Sequence, residues 1–261
     1  MYEDLQTSQA PTRYHSSRQS VMAQQRSISS KGSGSSGSVP SSVPIHNPIR
    51  DLGNAYSQTL CLYAPVHDAF LHLQPDEAAS MGKAVSKRRN EYSTGRLLAH
   101  QALNTLQFPI DALLSGPKRE PLWPAGIIGS IAHSDTYAVV AVSSNPQLRA
   151  LGIDLERTGR AGEEILRRIL TKAEQASLGD MDATLIFSAK EAVYKMLFPI
   201  VQKYVGFQDV EIRFDLNHST FTTRYLGENP DCRCVESANG SFMKIDDSWL
   251  TQVYLERAGS R

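Results

Sequence analysis

The sequence predicts an α+β fold, with two similar halves that each pair a long helix with a few antiparallel strands. Three observations carry this. Apolar residues recur at helical spacing twice, over 88–106 and 183–198. Strand-like runs gather around each helix instead of alternating regularly with helices. Residues 1–50 hold 13 Ser, 4 Pro and 3 Gly with few large apolar side chains, a composition that cannot offset chain entropy and is expected to stay disordered.

In order along the chain, Tyr92, Leu98, Ala99, Ala102, Leu103 and Leu106 form one helical stripe, closed by Pro109. The turn-rich stretch 115–126 is expected as a surface loop. Runs 127–131 and 137–142 are rich in β-formers, and Ala132, His133, Ser134 and Asp135 join them as a hairpin. A strand follows over 148–156, then a short amphipathic helix over 163–170. Thr171 and Glu174 have capping-box spacing for another helix start. The second long helix, 183–198, is expected to end at Pro199. Four strand-like runs complete the chain, at 209–215, 220–226, 241–245 and 250–256. The expected organisation is a Ser-rich tail (1–50), an N-terminal subdomain (51–147) and a C-terminal subdomain (148–261).

Charge and cysteine content narrow the function classes. The chain has 27 basic and 27 acidic side chains, so it lacks the positive field that duplex nucleic acid requires. It has no apolar run long enough for a transmembrane helix. The tail lacks the apolar stretch of a secretory signal; its Arg13, Arg18 and Arg26 suit a transit peptide, but Glu3 and Asp4 do not. Cys61, Cys232 and Cys234 are too few for a disulfide framework, which points to a reducing, cytoplasmic context.

The densest chemical signal is Gly152, Ile153, Asp154, Leu155 and Glu156. On a strand, Asp154 and Glu156 share a face, with Cα atoms about 6.6 Å apart. Two like charges side by side repel, and a hard divalent cation would relieve that repulsion. Two exposed residues at a strand end would show the same spacing. Glu191 and Lys195 stand one helical turn apart, as a third cation ligand beside a phosphate-binding ammonium or as an ordinary surface ion pair. His133 sits among small residues. Lys87, Arg88, Arg89, Arg96, Lys118 and Arg119 supply donors suited to phosphate or simply a solvated face.

Together and in this order, these stretches resemble the Sfp-type 4'-phosphopantetheinyl transferases, especially the enterobactin-synthetase branch. The resemblance rests on Lys87 to Tyr92 with Gly95 and Arg96, on Pro117 to Pro124, on Gly129 to Ser134, on Gly152 to Glu156, and on Phe187 to Glu191 with Tyr194 and Lys195. It implies a pseudo-twofold fold and a monomer with coenzyme A between the two subdomains. It also implies transfer of the 4'-phosphopantetheine arm to a serine of an acyl or peptidyl carrier protein, releasing adenosine 3',5'-bisphosphate. By resemblance Asp154, Glu156 and Glu191 hold Mg²⁺, with Glu191 also the candidate base. Lys195 and Lys190 lie near the phosphates, and Arg89, Arg96, Arg119 and His133 belong to the coenzyme A site. Relatives often carry Ser where this chain has Ala132, a hydroxyl worth about 0.5–1.5 kcal/mol, with Ser130 and Ser134 the candidates to replace it. A non-catalytic coenzyme A or carrier-protein binding module of the same fold and a Mg²⁺-dependent phosphohydrolase are the competing readings.

Overall fold

A computed structural model describes residues 50–52 and 56–259. The expected disorder of the tail therefore lies outside the described residues except at Arg50. Two antiparallel sheets organise the rest. The first has the order β1-β2-β4-β3, from β1 (Arg50–Asp51), β2 (Thr59–Pro65), β3 (Ile128–His133) and β4 (Tyr137–Ser143). The second has the order β5-β9-β8-β7-β6, from β5 (Leu148–Arg157), β6 (Val210–Asp215), β7 (Thr220–Tyr225), β8 (Asn239–Ile245) and β9 (Ser248–Glu256). The helices are α1 (Pro75–Ala79), α2 (Ser86–Thr105), α3 (Glu163–Ile169), α4 (Lys172–Ser177) and α5 (Ala183–Val201).

Side-chain alternation along the strands builds three cores. Leu62, Val140 and Val142 face α2, where they meet Leu98, Ala99, Ala102 and Leu103. From the opposite face Cys61, Tyr63, Val139 and Ala141 meet Leu151, Ile153 and Leu155 of β5. Beyond β5, Val253 and Leu255 pack against Ala189, Ala192, Val193 and Met196 of α5. Period two thus sends Ile153 and Leu155 between the sheets and leaves Asp154 and Glu156 for the α5 side. Ser130 Oγ of β3 accepts the Ile153 N–H at 3.1 Å and ties the two edge strands together.

Two sequence expectations need correction, and one strand has no counterpart among them. Pro199 does not end α5; the helix continues to Val201, and Gln202, at φ 49°, stops it. A proline in the final turn removes only one helical hydrogen bond, and the buried apolar face before it holds the helix on the sheet. His133 closes β3, paired with Ala138, and the turn falls on Ser134 to Thr136. Thr59–Pro65, which hydrophobic spacing does not mark, is the inner strand β2, buried along most of its length. The capping box forms as expected: Glu174 N donates to Thr171 Oγ1 at 3.2 Å and Thr171 N to Glu174 Oε2 at 2.7 Å.

Candidate active site

The site begins with a glycine. A Cβ on Gly152 would lie 2.0 Å from the Ala192 carbonyl oxygen and 2.7 Å from the Met196 nitrogen, so only glycine lets α5 lie this close to β5. That approach lays the turn of α5 that carries Glu191 and Lys195 against the acidic stretch of β5. Lys195 Nζ donates to Asp154 Oδ1 at 2.8 Å. Asp154 is only 5% exposed, and its Oδ2 is buried without a hydrogen-bond partner. Glu156 contacts the Arg160 guanidinium at 3.1 Å.

Glu191 and Glu156 are both pushed up to about 7, first by burial and then by the Asp154 charge. Burial would lower the Lys195 ammonium, but Asp154 and Glu191 outweigh it and hold the proton on. Three carboxylates therefore share one neighbourhood, with a single ammonium inserted at Asp154. Among the described residues no three acidic, His or Cys side chains are arranged to hold an ion as they stand. The donor set still fits a hard divalent cation: carboxylate oxygens, a partnerless buried Oδ2, and a repulsion that a cation would relieve.

That repulsion has a measurable sign. Both glutamates are raised from 4.5 in the folded state, so their stabilising contribution is complete below pH ~4.5 and is lost as pH rises through about 7. In a chelator, the melting temperature should fall by roughly several degrees between pH ~5 and ~8. Mg²⁺ added at the upper pH should restore it. A melting temperature indifferent to Mg²⁺ at that pH would remove the cation from this site.

A basic group faces the carboxylates from α2 and the end of β3. Arg88 Nη1 donates to His133 Nε2 at 2.7 Å, which places the imidazole proton on Nδ1, 3.6 Å from Glu91 Oε2. Burial, then Arg88 and Lys195, hold His133 down to about 3, so it is a neutral ring here. Arg96 is 4% exposed, donates to Ser115 Oγ at 2.8 Å, packs over Tyr92, and keeps a buried Nε without a partner. Arg119, in the left-handed region at φ 67°, lies close enough for its charge to act on Arg88. Arg89 stacks on Phe70 with 3.8 Å to the ring centroid, and its Nε is also buried and partnerless.

The structure thus joins Asp154, Glu156, Glu191 and Lys195 in one cluster, with His133 within reach of the Lys195 charge. Lys190 does not join it. Its ammonium is buried elsewhere against Glu174, because one residue along a helix is a rotation of about 100° from Glu191. Ala132 is 2% exposed inside the intersheet core. Ser130 and Ser134 are already committed, to Ile153 N and to the β3–β4 turn. Sequence reasoning assigned no role to Arg160, Glu91 or Ser115. Arg160 and Glu91 carried a signal only as charges near the motifs, and Ser115 carried none.

Comparison with known proteins agrees with this geometry. Residues 76–143 match the 4'-phosphopantetheinyl transferase N-terminal domain, and residues 150–252 match the 4'-phosphopantetheinyl transferase superfamily. The 4'-phosphopantetheinyl transferase PptT of Mycobacterium tuberculosis is 37% identical over 158 residues, which cover 58% of this chain and 70% of that protein. Svp of Streptomyces mobaraensis, also a 4'-phosphopantetheinyl transferase, is 34% identical over 166 residues, covering 60% and 68%. Enterobactin synthase component D of Escherichia coli is 34% identical over 142 residues, covering 51% and 66%. The second match runs through β5 and α5, the elements that bring the carboxylates and Lys195 together, and the first contains the basic group of α2 and β3. On both grounds, the chain belongs to the 4'-phosphopantetheinyl transferase superfamily.

Proposed function

We propose that this chain transfers the 4'-phosphopantetheine arm of coenzyme A to a carrier-protein serine at the cluster where α5 crosses β5. The observation that carries the proposal is the Lys195–Asp154 contact at 2.8 Å beside two glutamates lifted to about 7. The halves 51–147 and 148–261 are taken as two pseudo-twofold subdomains of a monomer, with coenzyme A spanning both.

Asp154, Glu156 and Glu191 would hold Mg²⁺, which when bound supplies positive charge to the coenzyme A diphosphate. The chain's own residues do the rest. Arg88, Arg96 and Arg119 converge as donors for the adenosine 3'-phosphate, and Arg89 borders them. His133, neutral and accepting from Arg88, orients that guanidinium. The serine hydroxyl oxygen bonds to the β-phosphorus while the bridging P–O bond breaks, so adenosine 3',5'-bisphosphate leaves with the electron pair. Lys195, its proton held firmly, offsets the charge that builds on the phosphate oxygens. Glu191, the carboxylate that α5 brings beside Asp154, is the base that takes the serine proton.

The test is incubation with coenzyme A, Mg²⁺ and a panel of acyl and peptidyl carrier proteins, read by mass spectrometry. The expected result is one phosphopantetheine arm added to at least one carrier. Release of adenosine 3',5'-bisphosphate without carrier modification would make the protein a phosphohydrolase. Binding of coenzyme A with neither product would make it a binding module.

A further inference from the structure

A buried charge with every proton satisfied lies just outside the reacting cluster. Lys190 is 2% exposed, and its Nζ sits 2.7 Å from Glu174 Oε2. It also donates to the Ile169 carbonyl at 2.7 Å and the Phe207 carbonyl at 2.8 Å, so each of its three protons has an acceptor. Glu174 in turn accepts from Thr171 N at 2.7 Å and from Ile212 N at 2.8 Å. The end of α3, the start of α4, the turn before β6, β6 itself and α5 are thereby pinned at one point.

Stability alone does not account for this arrangement, because replacing a buried ion pair with apolar groups is often neutral or favourable. What the pair supplies is direction. An apolar helix face tolerates small rotations on a sheet, whereas a buried ammonium cannot leave its acceptors without stranding a charge. Lys190 immediately precedes Glu191, and Lys195 follows Glu191 by one turn, so the rotation that seats Lys190 also aims the other two. Gly152 limits how deep α5 sits, but a glycine contact does not set its rotation.

We infer that the buried Lys190–Glu174 pair is a positioning device for the transfer reaction, setting the rotation of α5 that turns Glu191 and Lys195 toward Asp154. This rests on the function proposed above. Lys190 itself touches neither substrate nor the reacting atoms.

Two variants test it. Lys190→Met/Glu174→Gln removes both charges, and Glu174→Asp keeps both but draws the carboxylate back by one methylene. Each is measured for folding by circular dichroism, for Mn²⁺ binding by electron paramagnetic resonance, for adenosine 3',5'-bisphosphate binding by calorimetry, and for kcat at saturating coenzyme A and carrier. The expected result is a folded protein whose Mn²⁺ dissociation constant rises about tenfold and whose kcat falls about tenfold or more. Affinity for the bisphosphate, which is gripped from α2, should stay within about twofold. A folded variant with wild-type kcat and Mn²⁺ affinity overturns the inference. So does a Glu174→Asp chain that cannot fold, or a loss of bisphosphate affinity as large as the loss of kcat, since both assign the pair to general stability. Failure of the functional reading looks different: the wild-type protein itself would modify no carrier.

Discussion

Glu191→Gln should lower arm transfer to a carrier protein by about 10²- to 10⁴-fold while leaving the protein folded and, in a chelator at pH ~8, more stable than wild type. Both signs follow from one geometry. Glu191 is pushed up to about 7 by burial and by Asp154, so its charged form is a cost to the folded chain. Gln has the same shape without that charge, and the remaining carboxylates lose a neighbour that repels them. The amide cannot take the serine proton and is a poor cation ligand, so the reaction loses what the fold gains. Carrier modification by mass spectrometry and thermal melts of the same preparations check the two signs together. A variant that keeps wild-type transfer would deny Glu191 both its roles.

Gly152→Ala should be nearly as severe, from a residue with no functional group. Its Cβ would meet the Ala192 carbonyl at 2.0 Å and the Met196 nitrogen at 2.7 Å, both backbone atoms of α5 that cannot turn aside as a side chain can. The helix must lift from the sheet, at a cost of about 1–3 kcal/mol for overpacking. Lifting α5 draws Lys195 from Asp154 and Glu191 from β5. A displacement near 1 Å costs about 10²-fold in rate. The expected outcome is a lowered melting temperature together with a roughly hundredfold drop in kcat, and a smaller change in the affinity for adenosine 3',5'-bisphosphate, whose proposed site is on α2. Transfer at the wild-type rate from this variant would mean that the contact between α5 and β5 does not set the site.

These two positions show how differently parts of the site can be read from sequence. Asp154 and Glu156 were legible because a strand has a strict period of two, and β5 places them on one face while Ile153 and Leu155 enter the core. Glu191 and Lys195 were legible as a pair because four residues make one helical turn. Gly152 stands inside the acidic motif of β5, but nothing local shows that a helix from forty residues later rests on it. Lys190 was misplaced because two lysines on one amphipathic helix look alike until the partner of each is known. Glu174 was read as a capping residue, which it is, while its second task of holding Lys190 depends on a residue sixteen positions away. The strand at Thr59–Pro65 is not marked by spacing because Thr59 and the run from Cys61 to Ala64 are buried, so it lacks the polar alternation of a half-exposed strand.

By itself, then, the amino-acid sequence determined the fold class, most of the helices and strands, and which residue types could do phosphate chemistry. These follow from local preferences, periodicity and charge, which act over a few residues. Only the tertiary structure decided that Lys195 meets Asp154, that Lys190 turns inward to Glu174, that His133 is a neutral ring beside Arg88, and that Ala132 belongs to the core. Each of those outcomes depends on burial and on charges brought from distant parts of the chain, and neither exists until the two sheets and their helices have packed.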